Sequence, residues 1–205
     1  MTEIKFSDTL SIWKTSFNIL DKDETLRLCY NLLDTTMEEW QGCLYEYLAD
    51  FKIPISDYNN YEINNSLDSI MKIGTDASLS LIKQDFDFIQ SYIWLLKINK
   101  DNPAQPALSD SWRYHNHVDT NAALGYPPPL FTFVSYLQVP SNLKGEEGNL
   151  ILKDVDNKTY TTLPSEGDII IFKGDIDHGV LPAPNANSDR IVLAGSIGVE
   201  KNKLI

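Results

Sequence analysis

Cysteine, histidine and arginine are all scarce in this chain of 205 residues. The two cysteines, Cys29 and Cys43, match no metal-binding spacing, which excludes a zinc–thiolate fold. They are also too few to staple a small secreted scaffold, so a reducing, cytoplasmic setting is expected. Cys29 falls on the apolar side of an expected helix and reads as a buried free thiol. Positive charge is short as well. Seventeen Lys and Arg against 29 Asp and Glu leave a net charge of −12. That argues against a nucleic-acid groove and against docking on an anionic membrane. It still allows a small anionic ligand held by one well-placed cation. No apolar run is long enough to span a bilayer, and Met1 to Leu10 has no apolar signal core. Oligomeric state is left open.

What is present is the composition of a globular protein, 42% hydrophobic and 22% charged. The length fits one domain over 1–205. Residues 1–100 form its N-terminal strand and helical buttress, and 111–199 form its core. Trp13, Thr15, Phe17 and Ile19 alternate with polar residues, the period of a half-buried strand. Asp21 then caps a helix, with Glu24 as its capping-box partner. Leu26, Tyr30, Leu33, Met37 and Trp40 carry the apolar stripe of that helix. Lys52 to Leu67 reads as a loop. Leu67, Ile70 and Met71 suggest a short helix closed by Gly74, and Ala77 to Ile89 a second one. Tyr92 to Ile98 is strand-like.

After Lys100 helical periods vanish and short strands alternate with turns. Strands are expected at Trp112–His117, Leu130–Val139, Asn149–Val155, Lys158–Leu163, Asp168–Phe172, His178–Leu181 and Arg190–Val199. Asp156-Asn157 makes a tight hairpin. Strands at this spacing suggest a barrel or sandwich. Helices ahead of them make the fold class α+β, with two helices on one face of a β-core.

The rare residues fall into a pattern. His117-Val118-Asp119 places a histidine and a carboxylate two apart, His178 follows, and then Arg190. Two histidines and one carboxylate on one face hold a divalent metal and leave three positions open, the arrangement of non-heme Fe(II) oxygenases. Order, spacing and strand context together carry this, since an isolated HxD triplet is common by chance in so acidic a chain. His115 lies two residues before His117 and so on the same side. It reads as a donor outside the ligand set, a substrate contact or an alternative ligand. Tyr114 is a candidate pocket-lining residue and Tyr126, beside three prolines, a candidate rim contact.

Residues 111–199 resemble the double-stranded β-helix, a jelly-roll or cupin-like core, of the 2-oxoglutarate- and Fe(II)-dependent oxygenases. The prolyl 4-hydroxylase-like branch is the nearest. The matching pieces are HVD at 117–119, YLQ at 136–138, EGNL at 147–150, PSEGDIIIF at 164–172, HGVLP at 178–182 and RIVLAGSIGV from Arg190. The resemblance implies that His117, Asp119 and His178 hold iron. It implies that Arg190 pairs with the distal carboxylate of 2-oxoglutarate, where its planar fork suits a carboxylate. Tyr136 would hydrogen-bond the same group. Many relatives carry Arg-x-Ser, whereas position 192 here is Val, which removes one hydroxyl contact.

Strand parity puts Thr132, Val134 and Tyr136 on one face, and Arg190, Val192, Ala194 and Ser196 on one face. Ile191 and Leu193 point away, toward the helices. The implied activity is hydroxylation of a C–H bond, of a prolyl residue or a small molecule, with release of succinate and CO2. Fe(II), 2-oxoglutarate and dioxygen are required, and ascorbate is an accessory the resemblance allows. The partner is a small-molecule or peptide substrate. Two alternatives stand beside this: a catalytically inactive β-helix binding module, and a zinc-dependent hydrolase on a similar barrel.

Overall fold

The most apolar run of the chain, Ile169 to Phe172, is wholly buried and lies within the larger of two antiparallel sheets. The computed structural model describes residues 1–19, 21–35, 39–40, 43–98, 115–118 and 128–201. The larger sheet contains β1 (Thr2–Lys5), β2 (Ser11–Ser16), β3 (Glu39–Trp40), β4 (Cys43–Pro54), β5 (Phe88–Ile98), β6 (Phe131–Gln138), β9 (Asp168–Lys173) and β11 (Arg190–Glu200). Their spatial order is β1-β2-β9-β6-β11-β5-β4-β3. The smaller sheet has β7 (Leu150–Lys153), β8 (Thr159–Thr162) and β10 (Asp177–Val180), in the order β10-β7-β8. The helices are α1 (Lys22–Thr35), α2 (Ile55–Asn59) and α3 (Ser66–Leu79). None of the described helices is long and apolar enough to cross a membrane.

Alternation along β6 and β11 divides the interior into two cores. Phe133, Leu137, Ile191, Leu193 and Ile197 pack with Cys29, Leu33, Leu67, Ile70 and Met71 of α1 and α3. Tyr136, Val192, Ile170 and Phe172 face the other way and meet Leu150 and Leu152 of the smaller sheet. The expected parity of both strands therefore holds, and one face of the sheet is buttressed by helices. Cys29 is a buried free thiol, and burial pushes it up to about 12, so it stays protonated and inert.

Local signals worked where turn chemistry is local. Asp154 Oδ1 accepts from the backbone N–H of Asp156 and Lys158, and Asn157 takes φ 63° between β7 and β8. Asp21 caps α1 by accepting from Glu24 N at 3.0 Å. The Glu24 carboxylate does not close the expected capping box; it takes two hydrogen bonds from Arg27.

The N-terminal half departs from expectation. α1 ends at Thr35, and Trp40 lies in β3. Lys52 to Leu67 is not one loop: it holds the end of β4, α2 and the start of α3. Gly74 does not close a helix, because α3 runs through it to Leu79. The reason is packing. A Cβ at Gly74 would stand 2.5 Å from the ring of buried Phe133, so glycine lets the helix approach β6 closely, at its usual cost in helix propensity. No helix spans Ala77 to Ile89, since Ile89 belongs to β5. β5 pairs with β4 on one side and β11 on the other. A strand filled on both faces lacks the alternation that marks a half-buried one.

Candidate metal centre

β10 and the segment 115–118 bring the three histidines together. His115 and His178 exchange both backbone hydrogen bonds, at 3.0 and 2.9 Å. The strand expected over Trp112–His117 is thus described only by this bridge, and the backbone is helical at 117–118. His117 N donates to Gly174 O at 3.0 Å, which ties the segment to the turn between β9 and β10. The imidazole centroids lie 4.3 Å apart for His115 and His178, 4.9 Å for His117 and His178 and 5.2 Å for His115 and His117. One nitrogen of each ring falls within 4.8 Å of the others. Asp119, Tyr114 and Tyr126 lie outside the described residues. Among the described residues the cluster therefore has three imidazoles and includes His115, which the HxD spacing does not single out as a ligand.

The surroundings prepare these rings as neutral donors. Trp94 packs against His117 at 5.1 Å and Phe172 against His178 at 4.6 Å. Burial, with His178 close by, holds His115 and His117 well below their ordinary value. Burial likewise lowers His178 to about 4. His178 Nδ1 lies 2.9 Å from Ile176 O. A backbone carbonyl can only accept, so Nδ1 carries the proton and Nε2 presents its lone pair, the state a metal ligand needs.

This depressed histidine makes stability depend on pH. Its folded value of about 4 lies below the ordinary 6.5, so below pH 6.5 the unfolded chain takes up the proton first. Metal-free protein should lose on the order of 3 kcal/mol from this group as pH falls from 6.5 to 4. Denaturant unfolding across that range checks it, with His178→Asn as reference. Equal acid slopes in the two proteins would refute the linkage.

The second feature is Arg190, at the start of β11. Its guanidinium is buried and lies 5.8 Å from the centroid of the Tyr136 ring. Nη2 donates to Gly148 O, while buried Nη1 has no partner among the described residues. Burial lowers Arg190 from its ordinary value, yet an arginine stays charged at neutral pH. Tyr136 is fully buried and pushed up to about 12 by burial, so its hydroxyl stays a neutral donor. Val192 pairs with Tyr136 across β11 and β6, is buried in the same core and adds only apolar surface.

These residues fit a metal with an anionic ligand. Neutral imidazoles suit a divalent first-row metal. A buried guanidinium with one unpaired nitrogen is costly until an anion meets it. Both groups adjoin the same core: Phe172 touches His178, and Tyr136 lies beside Arg190.

Three of the contributors carried weak signals or none. His115 was detectable from its two-residue offset, but nothing local distinguished ligand from lining. Trp94 and Gly148 reach the site only through tertiary contacts.

Comparison with known proteins agrees with the geometry. Residues 107–197 match the family model of the 2OG-Fe(II) oxygenase superfamily. A Pseudomonas putida prolyl-4-hydroxylase is similar in fold, at 14% identity and TM-score 0.57, covering 93% of each chain. IDO from Bacillus thuringiensis matches at 12% identity and TM-score 0.57, over 93% of this chain and 91% of its own. A Trichoplax adhaerens prolyl hydroxylase, in complex with a hypoxia inducible factor peptide fragment, matches at 14% identity and TM-score 0.53. It covers 91% of this chain and 82% of its own. No curated protein matches the chain by sequence.

Proposed function

For a chain whose residues 107–197 match the family model of the 2OG-Fe(II) oxygenase superfamily, we propose that His117, Asp119 and His178 hold the iron. Arg190, with Tyr136 beside it, binds the distal carboxylate of 2-oxoglutarate. The substrate is a C–H bond of a peptidyl proline or a small molecule. The hydroxylase neighbours, one of them holding a peptide, make the peptide the first class to test. The observation that carries the reading is the unpaired Nη1 of Arg190 in the core that also meets His178. A zinc hydrolase would leave that nitrogen without a purpose.

Iron and 2-oxoglutarate, once bound, would supply the oxidative chemistry, in which dioxygen is the oxidant: one of its oxygen atoms would end in succinate as CO2 is released, and the other in the substrate's new hydroxyl. The chain itself positions and shields. The Ile176 carbonyl holds the His178 ring in its ligating tautomer. Trp94 and Phe172 cover the flanks of His117 and His178 and exclude water there. Asp119, two residues after His117, brings the carboxylate of the ligand set. His115 stands within reach of the same ion. Nη1 of Arg190 and the protonated hydroxyl of Tyr136 supply donors for the carboxylate.

The test uses purified protein with Fe(II) and 2-oxoglutarate, first without air and then with it. A visible iron-to-cosubstrate absorption band should form anaerobically, and air should yield succinate slowly even without substrate. Absence of both in folded protein overturns the reading. A screen of prolyl peptides and small molecules for stimulated succinate release then identifies the substrate class.

A further inference from the structure

Gly148 is where the fold meets the arginine most closely. A Cβ placed there would stand 2.6 Å from Arg190 Nη2 and 3.0 Å from Leu143 Cδ1. Its backbone is left-handed at φ +68°, and its carbonyl accepts from the same Nη2. We propose that Gly148 is a positioning residue that sets the length of diacid the site accepts. It does so by letting the guanidinium seat against its carbonyl. This rests on the reading of Arg190 as the carboxylate-binding group.

The sheet register makes Gly148 the far end of a ruler. His178 pairs with Leu152 in the β10–β7 ladder, and Gly148 lies four residues earlier in the chain. Its N–H donates to Leu181 O at 3.1 Å, three residues beyond His178. At about 3.3 Å per extended residue, the His178 backbone and the Leu181 carbonyl that holds Gly148 are separated by roughly 10 Å along β10. An extended 2-oxo diacid with one end at the imidazoles and the other at Nη1 lies along this line. Retreat of the guanidinium from Gly148 therefore shortens the span.

The backbone of Gly148 has little room to give way instead. Asn149 N donates to Glu146 O at 3.1 Å and Leu181 N to Asn149 O at 2.9 Å. The loop before it is stitched to the β10–β11 connection by Asn187 N to Asn142 Oδ1 at 2.8 Å and Asn187 Nδ2 to Ser141 Oγ at 2.9 Å. Asn185 also donates to Glu147. An added methyl must then move the arginine. From 2.6 Å to an ordinary contact of about 3.5 Å is a shift of about 1 Å. One methylene changes the length of an extended diacid by about as much, the projection of a C–C bond.

The experiment measures binding of oxaloacetate, 2-oxoglutarate and 2-oxoadipate, diacids of four, five and six carbons, to Mn(II)-loaded protein by calorimetry. Wild type should prefer the five-carbon acid over the six-carbon one by about tenfold or more. Gly148→Ala should shift the ratio of four- to five-carbon affinity about tenfold toward oxaloacetate, with Mn(II) affinity unchanged. Should the left-handed backbone keep Gly148→Ala from folding, Gly148→Asn carries a Cβ that tolerates this φ better and should shift the ratio the same way. A folded variant with the wild-type ratio overturns the proposal. So does wild-type protein that binds 2-oxoadipate as tightly as 2-oxoglutarate, a result that needs no variant. Both outcomes leave the cosubstrate reading intact, because 2-oxoglutarate still binds. Wild-type protein that binds none of the three diacids removes that reading, and the role of Gly148 with it.

Discussion

His178→Ala is expected to abolish the anaerobic absorption band with Fe(II) and 2-oxoglutarate and to lower metal affinity by at least about 100-fold. Loss of an outer hydrogen-bond partner of a metal ligand already costs about 10- to 100-fold, and here the donor itself is removed. The effect is large because no described residue is placed to take over the position of the His178 ring. Its ring is buried, held by the Ile176 carbonyl and backed by Phe172, so truncation leaves an apolar gap rather than a site for water. His115, 4.3 Å away by ring centroids, is the one described donor close enough to compete. Its backbone is bonded to that of His178 on both sides, which limits how far it can move in. The measurements are the band itself, Fe(II) competition against a chelating dye, and thermal unfolding to show that the variant is folded. A folded His178→Ala protein that keeps its band would remove His178 from the ligand set.

Arg190→Ala separates cosubstrate binding from metal binding. Affinity for 2-oxoglutarate should fall by about 30-fold or more, which corresponds to the roughly 2 kcal/mol of a hydrogen bond to a charged group. Mn(II) affinity should not change, because no histidine of the cluster is bonded to Arg190 among the described contacts. The ligand-free variant should be no less stable than wild type by more than about 1 kcal/mol, since the mutation also removes a buried, half-paired charge. Arg190→Lys should not restore binding: an ammonium offers a point charge where the guanidinium offers a fork seated on Gly148 O. Parallel titrations with metal and with 2-oxoglutarate decide it. Equal loss of both affinities would mean that the arginine is a structural group.

The site was legible in the sequence to the extent that its residues are rare and its spacing is local. With three histidines in 205 residues, His117 and His178 stood out, as did Arg190 among three arginines. The alternation of β6 and β11 placed Tyr136 and Arg190 by parity, since a strand sends successive side chains to opposite faces. What could not be read was which neighbours those residues would meet. His115 has the same offset whether it lines the pocket or faces the ion. Only the bridge to His178, 63 residues away, turns it into the cluster.

The same division runs through the fold. Turn chemistry, period of two and unbroken apolar runs are properties of adjacent residues, and they determined the hairpin at Asp156-Asn157, the burial of Ile169 to Phe172, and the class of a β-core with helices on one face. Tertiary structure decided the rest. β5 is a central strand because β4 and β11 flank it. α3 continues through Gly74 because the Phe133 ring lies against it. Gly148 matters because Arg190 is folded onto its carbonyl from 42 residues away. Each of these depends on a surface that forms only when distant segments pack, and a single stretch of sequence contains no trace of the partner that will fill it.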